Sequence, residues 1–563
     1  MTGRLEQAAR YTRTVARLRP AQLAHRLRLR GQRLLLARVP PERLIRVPGA
    51  DARAPTGWPA AFAPLDLQVR DGSVPDGRRF RFLEESRDLG EPADWEQADA
   101  SLLWRYHLHY FEWAWALAGI EDRAGARGAF IELWQSWQAA TVAGRGVAWS
   151  PYVVALRAWA LCGVYEALVA GTGTGLEDAW RRSLAFHAAF LRRHLELDVG
   201  GNHLVKNLKA LVGLGVFLDD DRMVAAASGR LARQVPVQIL PDGGHYERSP
   251  SYHAQVLGDL IDVDGLLRVA GRPAVGGLAD AIEAMRTWLN AMRQPDGDIA
   301  LFNDCTLVGR ARLDLLQPAP ASPVRAPVTV LQPSGYAVAT AGPFHLVADM
   351  GPPCPPDLPA HAHADCLSFE LAVDGRRVIV DAGTSTYAPG PRRAWERSTR
   401  AHNTVEIDGA DQSEVWGTFR AGRLAQPRME GPLTASHDGY RWLPGQPRHR
   451  RTWRVTDTGV EVLDEVTGHG PQAGRAGAGT HTVAARLHIA PGLTVEHADD
   501  GAVVAGTLQI TVTGPGVTVA IEPVELATGF GRLAAGYAVV ARTTAPLPVT
   551  LRTAITLTAS SPR

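Results

Sequence analysis

The hydrophobic period of this chain changes once, near residues 318–327, and that change constrains the fold more than any other feature. From about 93 to 317, apolar residues recur at three- and four-residue spacing through 101–119, 128–140, 151–170, 177–196, 203–218, 222–235, 251–270 and 277–292, which predicts helices. Loops are expected at Gly171–Gly175, Pro241–Gly244 and Pro295–Gly297. Antiparallel helices repeated at this length predict an α/α toroid, an incomplete barrel. Downstream the period becomes two. Segments 328–340, 344–350, 366–380, 403–408, 450–466, 481–490 and 502–522 are rich in Val, Thr and Ile and are separated by Gly, Asp and Asn, the pattern of a large antiparallel β-sandwich. The run PAPASPVRAP at 318–327 reads as the linker between them. The expected order is a basic helical arm at 1–46, a Pro-, Gly- and Asp-rich connecting segment at 47–92, a toroid at 93–317, the linker, and a sandwich at 328–563.

Charge narrows the class of partner. The net charge is +2 over 563 residues, so nothing in the overall balance recommends nucleic acid. The only lysines are Lys206 and Lys209, and most arginines follow from that bias. The arm is the exception: residues 1–46 hold twelve arginines against Glu6 and Glu42, about +10, leaving about −8 elsewhere. Leucines and alanines among those arginines over 4–38 predict one or two basic amphipathic helices broken at Pro20. A solvated arm is the expectation, because it lacks a compact aromatic face; peripheral contact with an anionic membrane is the alternative. The cysteines Cys162, Cys305, Cys354 and Cys366 form no CxxC pair and read as incidental thiols. No stretch has the length of a transmembrane span or a secretory h-region, so a cytoplasmic or inner-membrane-associated location is expected, with the periplasm as the alternative.

Three stretches carry residues suited to chemistry. His361-Ala362-His363-Ala364-Asp365 leads into alternating Leu367, Phe369 and Leu371, and read as a strand it puts His361 and His363 on one face. With Asp381 and His402 at later strand ends, a zinc site is one reading. Chance in a chain with 18 histidines is the other. Gly200-Gly201-Asn202-His203 opens a helix, where free N–H groups, Asn and His suit a carboxylate ligand, although Asn202 also suits plain capping. Finally, Pro241-Asp242-Gly243-Gly244-His245-Tyr246-Glu247-Arg248-Ser249-Pro250-Ser251-Tyr252-His253 turns into a helix with Tyr252 in its first turn. Nearby cations would lower the phenol's pKa and fit it for proton transfer; a packed tyrosine with a satisfied hydroxyl is the alternative.

Taken together and in order, GGNHLVKNLKAL, PDGGHYERSPSYH, HAHADCLSFEL and VDAGTSTYAPGPRRAWERSTRAHNTVEIDGADQSEVWG resemble the heparinase II/III-like polysaccharide lyases, including the alginate and oligoalginate lyase branch. The resemblance covers most of about 100–420 and is most specific in 361–417. It implies a toroid followed by a sandwich, and β-elimination on an acidic polysaccharide or oligosaccharide. It further implies that Asn202 and His203 neutralise the uronate carboxylate, that Tyr252 is the general acid and also a candidate base, and that His361 is the other proton-transfer group. His363, Asp381 and His402 would hold a structural Zn²⁺. Tyr387, Arg393 and Arg400 resemble positions near the substrate. On the toroid helices, Trp104, Tyr106, His109, Tyr110, Trp149 and Tyr152 offer rings for sugars, and Arg157 a partner for a carboxylate, with core packing the alternative for most of them. Where relatives often carry Glu, as in NHLLEN, this chain has Lys206, facing either the substrate or solvent. Two other functions compete: a non-catalytic glycan-binding or assembly factor in capsule or exopolysaccharide production, and a glycoside hydrolase using Glu247 and Asp304.

Overall fold

The computed structural model describes residues 2–45, 47, 57–69, 74–317, 327–468, 479–498 and 503–558. Nearly all of the expected linker, and parts of the connecting segment, lie outside the described residues. The chain divides into two compact units. One comprises Arg19–Gln238 and Gln255–Glu283; the other comprises Met1–Leu18, Ile239–Ala254 and Ala284–Arg563. Tyr252 therefore belongs to the same unit as the sheets.

In the helical unit the expected helices form with small shifts. Thr174–Arg193, Gly201–Phe217 and Asp221–Gln238 follow the predicted spans closely. The 101–119 span breaks into Leu102–Tyr110 and Trp113–Ala118 because Phe111, at φ 62°, caps the first helix in the left-handed region, which ends a helix without ending its apolar pattern. Gly201–Phe217 packs on Pro151–Gly163 and on Asp221–Gln238. It can lie close because Gly213 faces Trp159, where a Cβ would come within 2.8 Å of the indole, and Gly213 accepts the Trp58 Nε1 hydrogen bond at 2.9 Å.

In the other unit all strand pairs are antiparallel. A nine-stranded sheet runs Thr518–Gly529, Arg532–Pro546, Thr480–Ile489, Arg376–Ile379, Phe369–Val373, Phe344–Asp349, Tyr336–Ala341 and Val328–Leu331, with Val405–Ile407 paired to Thr480–Ile489. An eight-stranded sheet includes Thr434–His437, Arg448–Val455, Gly459–Thr467, Val549–Leu557 and Leu508–Thr513. Phe344, Leu346, Phe369, Leu371 and Leu487 of the first meet Trp453, Val462, Ile510 and Ile555 of the second in one buried core, as face-to-face sheet packing requires.

The basic arm is two docked helices rather than a solvated tail. Thr2–Val15 belongs with the sheets: Arg13 pairs with Glu414, and Tyr11 meets the Trp416 ring edge-on at 4.8 Å. Pro20–Arg38 belongs with the helical unit, burying Gln22, Leu29 and Leu36. Among the described residues no helix is long and apolar enough to cross a membrane.

Candidate active site

The 361–368 segment is a loop, not the expected strand; the ladder starts at Phe369. His361 and His363 are brought together by a shared carboxylate instead of a shared strand face. Asp304 Oδ2 lies 3.1 Å from His361 Nδ1 and Asp304 Oδ1 lies 2.8 Å from His363 Nε2. Arg393 donates to both oxygens at 2.5 and 2.8 Å. Burial alone would raise the Asp304 carboxyl, but Arg393 and the two imidazoles hold it well below the usual carboxylate range. It is therefore an anion with every strong lone pair engaged.

Tyr252 reaches this cluster from the first turn of the helix Pro250–Val269, positioned by the turn before it. Gly243, at φ +87°, approaches the Ala284 carbonyl so closely that a Cβ would overlap it. Asp242 then pins the turn, accepting from Gly244 N at 3.0 Å and from Ser334 N at 2.8 Å. Ser249 starts the helix and donates to the Asp304 carbonyl at 2.6 Å. The Tyr252 ring consequently lies 3.9 Å from the His361 ring, centroid to centroid, with its hydroxyl 2.9 Å from that of Tyr387. The expected lowering of the Tyr252 pKa does not occur. Burial, the Tyr387 hydroxyl and Asp304 push it well above its ordinary value, so the phenol is protonated at neutral pH. His361 Nε2 lies 3.6 Å from Glu247 Oε2.

The remaining expected residues sort by burial. Arg393 does not present its charge to solvent; it is 1% exposed and holds Asp304, with its guanidinium over the Tyr387 ring at 4.9 Å. Arg400 is exposed and pairs with Glu406 at 2.5 Å. Arg157 is a core residue: it is fully buried, donates to His187 Nε2 at 2.9 Å and to the Ala148 carbonyl at 2.7 Å, and stacks on Trp137. Trp149 is likewise buried, among Phe186, His187 and Phe190. Lys206 faces neither substrate nor solvent; it is buried and pairs with Asp259 at 2.7 Å beside Lys209 and Asp262. In the helical unit Asn202 is buried, whereas His203 keeps a third of its side chain exposed and is held by Glu196 at 3.0 Å and by the Tyr152 ring at 4.3 Å. The sequence reading missed Phe419, which is 42% exposed and packs edge-on against His361 and Tyr387. Only its neighbourhood in the folded chain marks it.

Next to this cluster, His363, Asp365 and His402 place one ligand atom each within 4.8 Å of one another. The atoms His363 Nδ1, Asp365 Oδ1 and His402 Nε2 are buried and have no hydrogen-bond partner, a costly arrangement unless a cation satisfies them. Each imidazole has a carboxylate on its other nitrogen: Asp304 on His363, and Asp381 on His402 at 2.7 Å. That arrangement fixes the tautomers that ligate metal. Burial lowers the His363 pKa to about 3, so it is neutral, and raises the Asp365 carboxyl. The donors fit a divalent ion. Asp381, expected as the third ligand, meets the Nδ1 side of His402 through Oδ2, and Asp365 is the carboxylate that the converging atoms include.

Known proteins match this chain in sequence and in fold. The model of the Heparinase II/III N-terminus matches residues 77–315, and that of the Heparinase II/III-like C-terminal region matches 323–552. The chain is 27% identical over 439 residues to FtsZ-localized protein C of Caulobacter vibrioides, covering 73% of each. It is 24% identical over 307 residues to a heparin-sulfate lyase of Bacteroides stercoris, spanning 48% of this chain but only 44% of that enzyme. The crystal structure of heparinase III superposes with a TM-score of 0.72 at 16% identity, over 92% of this chain and 89% of that one. With an α/α toroid, an antiparallel sandwich and matches to both halves, the chain belongs to the heparinase II/III family of polysaccharide lyases.

Proposed function

We propose that this protein cleaves a uronate-containing acidic polysaccharide or oligosaccharide by β-elimination, with His361 as base and Tyr252 as acid. The observation that carries this reading is the close approach of the Tyr252 and His361 rings, with Asp304 behind the histidine. Asp304 accepts from the Nδ1 side, and the Nε2 lone pair of His361, 3.6 Å from Glu247 Oε2, takes the C5 proton. Tyr252, kept protonated by its surroundings, gives its proton to the departing C4 oxygen. The C5–H and C4–O bonds break, C4=C5 forms, and no water is consumed. Asp304 stabilises the imidazolium as it forms. The C5 proton becomes removable only if charge developing on the C6 carboxylate is neutralised; the amide of Asn202 and the imidazole of His203 are suited to that by chemistry and by the family resemblance. Phe419 offers an exposed ring for a sugar face.

In this reading His363, Asp365 and His402 hold a zinc ion, with Asp381 and Asp304 orienting the imidazoles. A bound ion there supplies charge neutralisation and cross-links the 361–368 loop to the segment before Val405. The hydrolase alternative fares poorly: both oxygens of Asp304 are committed, and Glu247 is 1% exposed, whereas hydrolysis needs two carboxyl groups open to the bond.

A glycan-binding factor without turnover is the second reading, favoured by the similarity to FtsZ-localized protein C over most of the chain, a protein whose name describes a location. Incubation with a panel of acidic glycans separates the two. A lyase generates unsaturated uronate absorbing in the ultraviolet. Binding without an absorbing product from any member would support the factor instead.

A further inference from the structure

The helix Pro20–Arg38 carries leucines on two opposite faces, and only one is used. Leu29 and Leu36, seven residues apart with Gln22 in the same stripe, are buried against the helical unit. Gln22 Nε2 donates to the Asp198 carbonyl, Arg28 to the Arg193 carbonyl, and Arg145 to the Leu36 carbonyl at 2.6 Å. Leu27 and Leu34 have the same seven-residue spacing, but at 100° per residue they lie about 140–160° around the helix from Leu29. They are 71% and 53% exposed, and neighbouring Leu35 is 54% exposed. The loop that supplies Arg145 adds Val142, also 53% exposed. An outward stripe of this kind is not needed for folding, since the inner stripe already docks the helix.

The charges flanking this stripe identify what could cover it. The helix contains Arg26, Arg28, Arg30, Arg33 and Arg38 and no Asp or Glu. Arg26 has a distant partner in Asp198 at 3.6 Å, and Arg30 and Arg38 are exposed beside the leucines. A protein partner would need an acidic surface with an apolar centre. A lipid surface bearing negative headgroups supplies both features over any area, and a basic helix with an apolar outer stripe lies in such an interface with its side chains at the acyl boundary. We propose that the outward face of Pro20–Arg38 docks this protein on an anionic lipid surface, with Leu27, Leu34 and Leu35 inserted and the arginines on the headgroups.

Vesicle co-sedimentation of the full chain tests this, using phosphatidylcholine alone and phosphatidylcholine mixed with phosphatidylglycerol. Binding is expected only to the mixed vesicles and should weaken about tenfold or more in Leu27→Gln/Leu34→Gln and, separately, in Arg30→Glu/Arg38→Glu. All four positions are exposed, and a thermal melt verifies that each variant folds. No sedimentation with anionic vesicles at low salt would overturn the proposal. So would binding that the leucine variant leaves unchanged, which would mean adhesion by charge alone. A chain that ignores lipid but self-associates through the same leucines would also overturn it, making this face an interface between copies.

Discussion

The two units bury charge in different ways, and the difference separates scaffold from site. In the helical unit, buried cations meet buried anions or neutral acceptors: Lys206 and Lys209 face Asp259 and Asp262, and Arg157 donates to the neutral His187 and to backbone carbonyls. In the sheet unit, Asp304 joins His361 to His363, and three buried donor atoms of His363, Asp365 and His402 converge without partners. Paired charge fixes packing; convergent, unpartnered donor atoms leave room for an ion. Among the described residues only the sheet unit gathers such a group.

Mutations should divide along the same line. The largest effect is expected for Asp304→Asn, which keeps the shape but loses the charge: turnover should fall about 10²- to 10⁴-fold, and bound zinc should decline with it. If turnover survives, Asp304 does not position His361. Metal analysis then distinguishes the two carboxylates near His402. Asp365→Ala should leave the protein without stoichiometric zinc, whereas Asp381→Ala should weaken zinc by about 10- to 100-fold; the reverse pattern would make Asp381 the ligand. His363→Ala should likewise release the metal and lower the melting temperature. In the helical unit, Lys206→Met should cost about 1–3 kcal/mol in a denaturant titration, because Lys209 still faces Asp259, and should leave kcat unchanged. A large loss of kcat would bring Lys206 into the site.

Acid should weaken both units. Burial holds His109 and His187 at about 3, and His245 and His488 at about 4, below the ordinary 6.5. Unfolded, each takes a proton as pH falls below about 6.5 while the folded form stays neutral. Their contribution to stability is therefore complete above pH 6.5 and declines toward pH 4, by about 1.4 kcal/mol per pH unit for each group. Denaturant midpoints measured across that window check the sign; a midpoint that rises on acidification would contradict it.

The architecture was legible because period 3.6 and period 2 occupy separate stretches, and segment ends such as Phe111 shifted boundaries without changing element type. The motifs also singled out Tyr252, His361, His363 and His402, which the fold brings near one another. What local sequence could not show was which carboxylate each histidine would meet. Asp304 comes from a loop 57 residues before His361 in the chain and lies in no expected strand, so only the folded chain reveals it. The pairing of Asp381 with His402 and the grouping of Asp365 depend on loop conformation, because 361–368 is not a strand. Arg157 and Lys206 were misread for a related reason: a charged residue on an apolar helix looks the same in sequence whether it meets substrate or a buried partner.

The central claim is that His361 takes the C5 proton while Tyr252 gives its own to the departing C4 oxygen in one elimination. The most direct test is the rate of ultraviolet-absorbing product from an acidic glycan that the unmodified protein cleaves, compared with Tyr252→Phe and His361→Ala, each verified as folded. Both variants are expected to lose at least about 10²-fold in kcat. Near-normal turnover by folded Tyr252→Phe would contradict the account.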